Sequence, residues 1–263
     1  MIKIFCISFI ILFIVLINLN QNKVKESFIF PNTCYELSPK LSKKDIENLR
    51  KGQQIMTNIF REFDRICRKY NLKYWCVGGT FIGTIRHKGW IPHDGDIDVC
   101  MLKNDYEKFR EVSKKELPKR MWLRDQYIDK TFRGYNHNFA KILDIYSYYE
   151  KYGKLGNDTN MGLQLDIFLY EQKNNKLICL GNCGHGGIVD MDYDIIFPLK
   201  ELHFEDIKVY IPNKYKEYSK RYYKDYPPPL LPIEKRHPHE GKINPYNASQ
   251  YMRNTYPELY KNK

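Results

Sequence analysis

Apolar residues recur along this chain with three distinct spacings, and each spacing predicts an element. Ile4 to Ile17 is an apolar run broken only by Ser8 and flanked by Lys3, Lys23 and Lys25. Its length suits a short membrane segment or the hydrophobic region of a signal peptide. Further on, Ile46, Leu49, Met56, Ile59, Phe60, Phe63, Ile66, Cys67 and Tyr70 repeat at helical spacing after a Ser42/Asp45 capping box, which predicts a long amphipathic helix ending near Asn71. Tyr74 to Val77 predicts a strand halted by Gly78 and Gly79, with a helix starting near Thr80. Ile97 to Met101 predicts a second strand, and Asn104 caps a helix that presents Tyr106, Phe109 and Val112. In Leu163 to Tyr170, Leu163, Leu165, Ile167 and Leu169 alternate with Gln164, Asp166, Phe168 and Tyr170, the signature of a third strand.

This order predicts a mixed α/β (α+β) domain over 42–263, preceded by a signal anchor over 1–25 and a polar stem over 26–41. The tail, punctuated by Pro227, Pro228, Pro229 and Pro232, predicts an irregular C-terminal lobe. No Ala-x-Ala-like site follows Ile17, so an uncleaved anchor with a luminal domain is expected, with secretion after cleavage as the alternative.

The formal charge of +12 is dispersed along the chain and accompanied by no nucleic-acid motif, so a nucleic-acid partner is not expected. Beyond Cys6 in the apolar run stand Cys34, Cys67, Cys76, Cys100, Cys179 and Cys183. Cys179, Cys183 and His185 have a spacing that suits part of a zinc site, a local disulfide or unpaired thiols. Asn157 and Asn247 open N-glycosylation sequons.

The chemistry concentrates in His93-Asp94-Gly95-Asp96-Ile97-Asp98. Alternate positions of a strand share a face, so Asp96 and Asp98 project together while Ile97 and Val99 face the core. Adjacent carboxylates repel, and a divalent cation, Mg²⁺ or Mn²⁺, relieves that repulsion. Asp166 on the later strand supplies a third ligand. Gly78, Gly79 and Thr80 leave bare backbone where phosphate oxygens can approach a helix N-terminus. Arg86 is suited either to a donor phosphate or to pairing with Asp94, His93 either to the metal's surroundings or to an ordinary loop, and Lys88 to solvent.

The stretch GGTFIGTIRHKGWIPHDGDIDVCMLKNDYEKF resembles the central motif of the LicD family, which includes fukutin and the fukutin-related protein within the nucleotidyltransferase superfamily. LQLDIFLY resembles its second acidic strand, and IIFPLKELHFEDIKVYIP with YSKRYYKDY its C-terminal segment. The resemblance implies a nucleotidyltransferase-type sheet flanked by helices. It also implies transfer of a phospho-alcohol, such as phosphocholine or ribitol phosphate, from a CDP-linked donor to a glycan of a glycoprotein or glycolipid; the Golgi or endoplasmic reticulum membrane is the location expected from the N-terminal apolar run. On this pattern Asp96, Asp98 and Asp166 hold the metal and carry catalysis, while Gly78, Gly79, Thr80 and Arg86 contact the donor phosphates. His93 and Gly95 depart from the family's tryptophan and unbroken acidic run. A glycan-binding scaffold without activity and a true nucleotidyltransferase are the competing readings.

Overall fold

The computed structural model describes residues 41–132, 139–149, 161–181, 189–235 and 243–261. The apolar run, the stem up to residue 40, Cys34, Cys183, His185 and the Asn157 sequon lie outside them. Among the described residues no helix is long and apolar enough to cross a membrane.

Helix α1, Lys43–Lys69, opens on the expected capping box: the Asp45 N–H donates to Ser42 Oγ, and the Ser42 N–H donates to Asp45 Oδ2. It closes at Lys69, next to the predicted end near Asn71. Asn71 takes a left-handed conformation (φ 53°), and the Asn71 and Leu72 N–H groups return to the carbonyls of Arg68 and Cys67. Tyr70, counted on the apolar stripe, is therefore the C-cap and is 40% exposed. The true inner face includes three polar residues in phase with the stripe, Gln53, Thr57 and Asp64.

Strand β1 (Tyr74–Cys76) leads into helix α2 (Gly78–Arg86), which starts at the glycines themselves and not at Thr80. Strand β2 (Ile97–Leu102) runs directly into helix α3 (Lys103–Glu116), so Asn104 lies inside the helix and does not cap it. Two strands with no clear sequence signal follow, β3 (Met121–Arg124) and β4 (Phe139–Asp144), then the short β5 (Tyr148–Tyr149). Strand β6, Gln164–Lys173, is longer than predicted because its far half pairs with β7 (Lys176–Cys179), which in turn pairs with β8 (Met191–Asp192).

These strands form one mixed seven-stranded sheet with the path β1-β2-β6-β4-β3 and β7-β8 branching from β6. β2 and β6 are parallel neighbours and the other pairs are antiparallel. Behind β8 come a single helical turn α4 (Tyr193–Ile196), the hairpin β9 (Lys200–Phe204) and β10 (Ile207–Ile211), and helix α5 (Tyr215–Tyr223).

The prolines from 227 to 232 hold an irregular stretch, as expected. The rest of the tail is more ordered than predicted: β11 (Ile243–Asn244) pairs with β5, and helix α6 (Gln250–Thr255) is capped by Ser249, whose Oγ accepts from the Met252 N–H at 3.1 Å.

The core under β1 is aromatic. Phe63 of α1 meets Tyr74 of β1 and Phe109 of α3 with ring centres 4.9 and 5.1 Å apart, and Phe60 meets Phe204 of the hairpin at 5.8 Å. Each of these rings is fully buried or nearly so, a gain of roughly 1.5–3 kcal/mol per ring before conformational entropy is counted. This packing fixes β1, and with it the glycine corner at its end.

Candidate active site

The register of β2 and β6 places Asp98 directly beside Asp166 on parallel neighbouring strands. Asp96, two residues before Asp98, shares their face. One oxygen from each of the three carboxylates lies within 4.8 Å of the other two. This convergence follows from two local facts: the alternation of each strand and the absence of a register slip between them.

The approach to the cluster is held from the α1 side. The Gln53 amide, fully buried, donates to the carbonyls of Pro92 (3.2 Å) and Asp94 (3.0 Å), and the Trp90 indole N–H donates to Thr57 Oγ1 at 2.9 Å. The Tyr149 hydroxyl of β5 donates to the Gly95 carbonyl at 2.6 Å. A turn bearing three acids within five residues would otherwise splay, and these buried polar contacts hold it in one geometry.

The glycine corner is built against the same acids. A Cβ on Gly78, whose φ is +57°, would lie 2.6 Å from Asp98 Oδ2, and one on Gly79 would lie 2.1 Å from Asp94 Oδ2. Glycine at both positions is thus what lets the carboxylates approach the helix start. Thr80 is tied to the cluster as well: its Oγ1 accepts the Asp98 N–H at 2.9 Å. The Gly78 N–H donates to the hydroxyl of Tyr223, at the end of α5, at 2.9 Å. Tyr223 stacks on Phe81 at 5.7 Å between ring centres.

Of the predicted residues, Asp96, Asp98, Asp166, Gly78, Gly79 and Thr80 meet in one corner. Arg86 sits at the other end of α2, about 12 Å along its axis, where its guanidinium donates to the Pro228 carbonyl at 2.6 Å. His93 is buried in the turn before Asp94 and stands outside the three-carboxylate group. Lys88 is exposed. Cys179 is disulfide-bonded, which removes it as a zinc thiolate, and Cys67, Cys76 and Cys100 are buried free thiols.

Two residues at the site are not among the site residues expected from the sequence. Lys141 of β4 lies directly opposite Asp166 in the antiparallel register, with its ammonium 3.2 Å from Oδ1 and 3.4 Å from Oδ2. Gln164 donates its amide to Asp166 Oδ2 at 3.0 Å.

Burial and mutual repulsion dominate the electrostatics. Burial first, then the charge of Asp96, push the Asp94 carboxyl well above the usual carboxylate range. Burial, then Asp96, Asp166 and Asp94, do the same to Asp98, against a smaller opposing pull from Lys141. Asp166 is pushed up to about 6, burial outweighing the Lys141 ammonium beside it. Its Oδ1 is buried without a well-directed hydrogen bond, although Lys141 lies close. Three converging carboxylates with one such oxygen form a hard-ligand set that fits a small divalent cation. A cavity of about 610 Å³ lies elsewhere, lined by Leu72, Lys73, Phe197 and Tyr210 among others, and contains none of the acids.

The family model described as LicD/FKTN/FKRP, nucleotidyltransferase domain, matches residues 71–214, more than half of the chain and nearly the whole acidic corner with its flanking strands. The chain belongs to the LicD/FKTN/FKRP family. Within it, the chain is 32% identical over 128 residues to the lipopolysaccharide cholinephosphotransferase LicD of Haemophilus influenzae, covering 49% of this chain and 46% of that protein. It is 27% identical over 155 residues to an uncharacterized Rickettsia typhi protein (59% of this chain, 40% of that one) and 26% identical over 163 residues to one from Rickettsia prowazekii (59% and 48%). The chain thus spans less than half the length of these curated relatives.

Proposed function

We propose that this LicD-family chain is a metal-dependent phosphotransferase that moves a phospho-alcohol, phosphocholine or ribitol phosphate being the model cases, from a CDP-linked donor to a glycan. The observation that carries the reading is the meeting of Asp96, Asp98 and Asp166 within 4.8 Å beside a corner that only glycine fits. The name of the Haemophilus influenzae relative supports the same class of reaction.

In this reading Asp96, Asp98 and Asp166 hold Mg²⁺ or Mn²⁺, which when bound supplies neutralisation of charge on the transferring phosphoryl group. The protein contributes position. The α2 N-terminus, with the N–H groups of Gly79 and Thr80, faces donor phosphate oxygens. An acceptor hydroxyl oxygen bonds to the phosphorus carrying the alcohol, and the bond from that phosphorus to the oxygen of CMP breaks, its electron pair leaving with CMP. Asp166, beside the bound cation, is the candidate to take the hydroxyl proton. A phosphodiester on the glycan and CMP result.

The location follows as part of the proposal: residues 1–25 anchor the chain in the Golgi or endoplasmic reticulum membrane with the 42–263 domain in the lumen. The disulfide at Cys179 and the exposed position of Asn247 in its sequon support an oxidising, glycosylating compartment.

The test is incubation of the full-length protein with CDP-choline, CDP-ribitol and CDP-glycerol plus glycan, following CMP by mass spectrometry with and without divalent cation. CMP release that requires the cation and vanishes in a folded Asp98→Asn variant is the expected result. Absence of CMP together with absence of metal-dependent donor binding would leave the scaffold reading, and pyrophosphate release from a nucleoside triphosphate would mark a nucleotidyltransferase.

A further inference from the structure

We infer that Lys141 is a stand-in cation that holds Asp166 in place before the metal arrives and then becomes a phosphate-binding residue for the donor. The inference rests on the reading of the corner as a site for a metal-bound diphosphate.

The pairing is imposed by the sheet. β4 and β6 are antiparallel, Lys141 and Asp166 are direct cross-strand partners, and directly opposed side chains emerge on the same face. The ammonium spans both Asp166 oxygens at 3.2 and 3.4 Å, and it lies 5.0 Å from the centre of the Phe139 ring, two residues earlier on the same strand. Its side chain is 16% exposed, so the charge sits partly out of water and is not a freely solvated surface lysine. Gln164 also donates to the Oδ2 oxygen, at 3.0 Å.

A divalent cation bound by Asp96, Asp98 and Asp166 competes with the ammonium for the Asp166 oxygens, and two cations that close repel. Occupancy therefore pushes the flexible lysine head away from Asp166 while Gln164 keeps the carboxylate oriented. The anion that arrives with the donor is a diphosphate, which contacts the cation and presents further negative oxygens within reach of the long lysine stem. Lys141 thus lowers metal affinity in the free protein and raises affinity for the diphosphate. That opposite pair of effects separates this role from a purely structural one, in which removing the lysine weakens both or neither.

The experiment measures Mn²⁺ binding alone, then binding of methylenediphosphonate at saturating Mn²⁺, by calorimetry on the full-length protein and its Lys141→Met and Lys141→Arg variants. Lys141→Met is expected to bind Mn²⁺ about threefold to tenfold more tightly and methylenediphosphonate about tenfold more weakly. Lys141→Arg, which keeps the charge, is expected to restore diphosphonate affinity to within about threefold.

Weaker Mn²⁺ binding in Lys141→Met, unchanged diphosphonate affinity, or no Mn²⁺-dependent diphosphonate binding by the unmodified protein overturns the inference. If circular dichroism shows Lys141→Met unfolded, Lys141→Gln carries the same two measurements. Because neither binding measurement uses turnover, failure of CMP release with these shifts intact sinks the transfer reading and leaves the lysine's role standing.

Discussion

The hydroxyl of Tyr223 accepts the amide hydrogen of Gly78 at 2.9 Å, so the first N–H of the helix expected to face the donor is already engaged by the C-terminal segment. Tyr223 also packs on Phe81 within the same helix, which fastens α5 to the glycine corner. Tyr223→Phe keeps the ring stacking and removes only the hydroxyl. It is expected to cost about 1 kcal/mol of stability, read as a lower urea midpoint with unchanged slope, and to raise the KM for a CDP-linked donor more than it lowers kcat. A fall in kcat with donor KM unchanged would show that the phenol acts on the chemical step and not on the corner's shape.

In the proposed site metal and protons compete for the same carboxylates, and the sign of that competition is fixed. Asp166 ionises at about 6 in the folded chain, against roughly 3.9 when unfolded. Its pKa is raised, so the native state binds the proton more tightly. The metal-free protein therefore loses stability as pH rises from about 4 to about 6 and stays at the lower level above that. Asp94 and Asp98 shift in the same direction. Saturating Mn²⁺ is thus expected to raise the melting temperature by about 5 °C at pH 7.5 and by much less at pH 5. Asp166→Asn should raise the metal-free melting temperature at pH 7.5 and abolish most of the Mn²⁺ response. A larger Mn²⁺ shift at pH 5 than at pH 7.5 would contradict the assignment of the ligands.

The acids of this corner were legible because their message is local. Asp96 and Asp98 are two residues apart, Asp166 falls in phase within a clean alternation, and strand geometry alone places each on a face. Lys141 was not legible, since it lies 25 residues from Asp166 and becomes its neighbour only through the β4–β6 register. Gln53 and Thr57 were hidden for a different reason. A search for apolar periodicity discards polar residues, yet both fall on the stripe of Leu49, Met56 and Phe60, and a buried polar residue in phase with an apolar face is itself a signal of an internal hydrogen bond. Strand β3 was missed because four residues, one of them a buried arginine, show no usable period. The tail was read as irregular from its prolines, whereas β11 takes its order from pairing with β5 and α6 from packing Met252 against Leu143 and Ile145.

That buried arginine sets the last expectation. The Arg124 guanidinium is 2% exposed and donates from Nε to Asp129 Oδ2 at 2.6 Å, while the Tyr256 hydroxyl, just beyond α6, donates to the same oxygen at 2.8 Å. Burial alone would raise the Asp129 carboxyl, but hydrogen bonds from Thr131, Arg124 and Tyr256 together bring it down to about 2. A depressed carboxylate contributes stability that is fully present above its unfolded value near 3.9 and is lost as pH falls through about 2. Asp129→Asn removes the charge that neutralises a buried guanidinium, which typically costs about 3–5 kcal/mol, and it loosens the tail held by Tyr256. Urea unfolding of the two proteins should therefore show a wide gap at pH 7 that narrows between about pH 4 and pH 2. A gap below about 1 kcal/mol at pH 7, the size expected of a solvent-screened pair, would mean that water reaches Arg124 and that the tail is held by its apolar contacts alone.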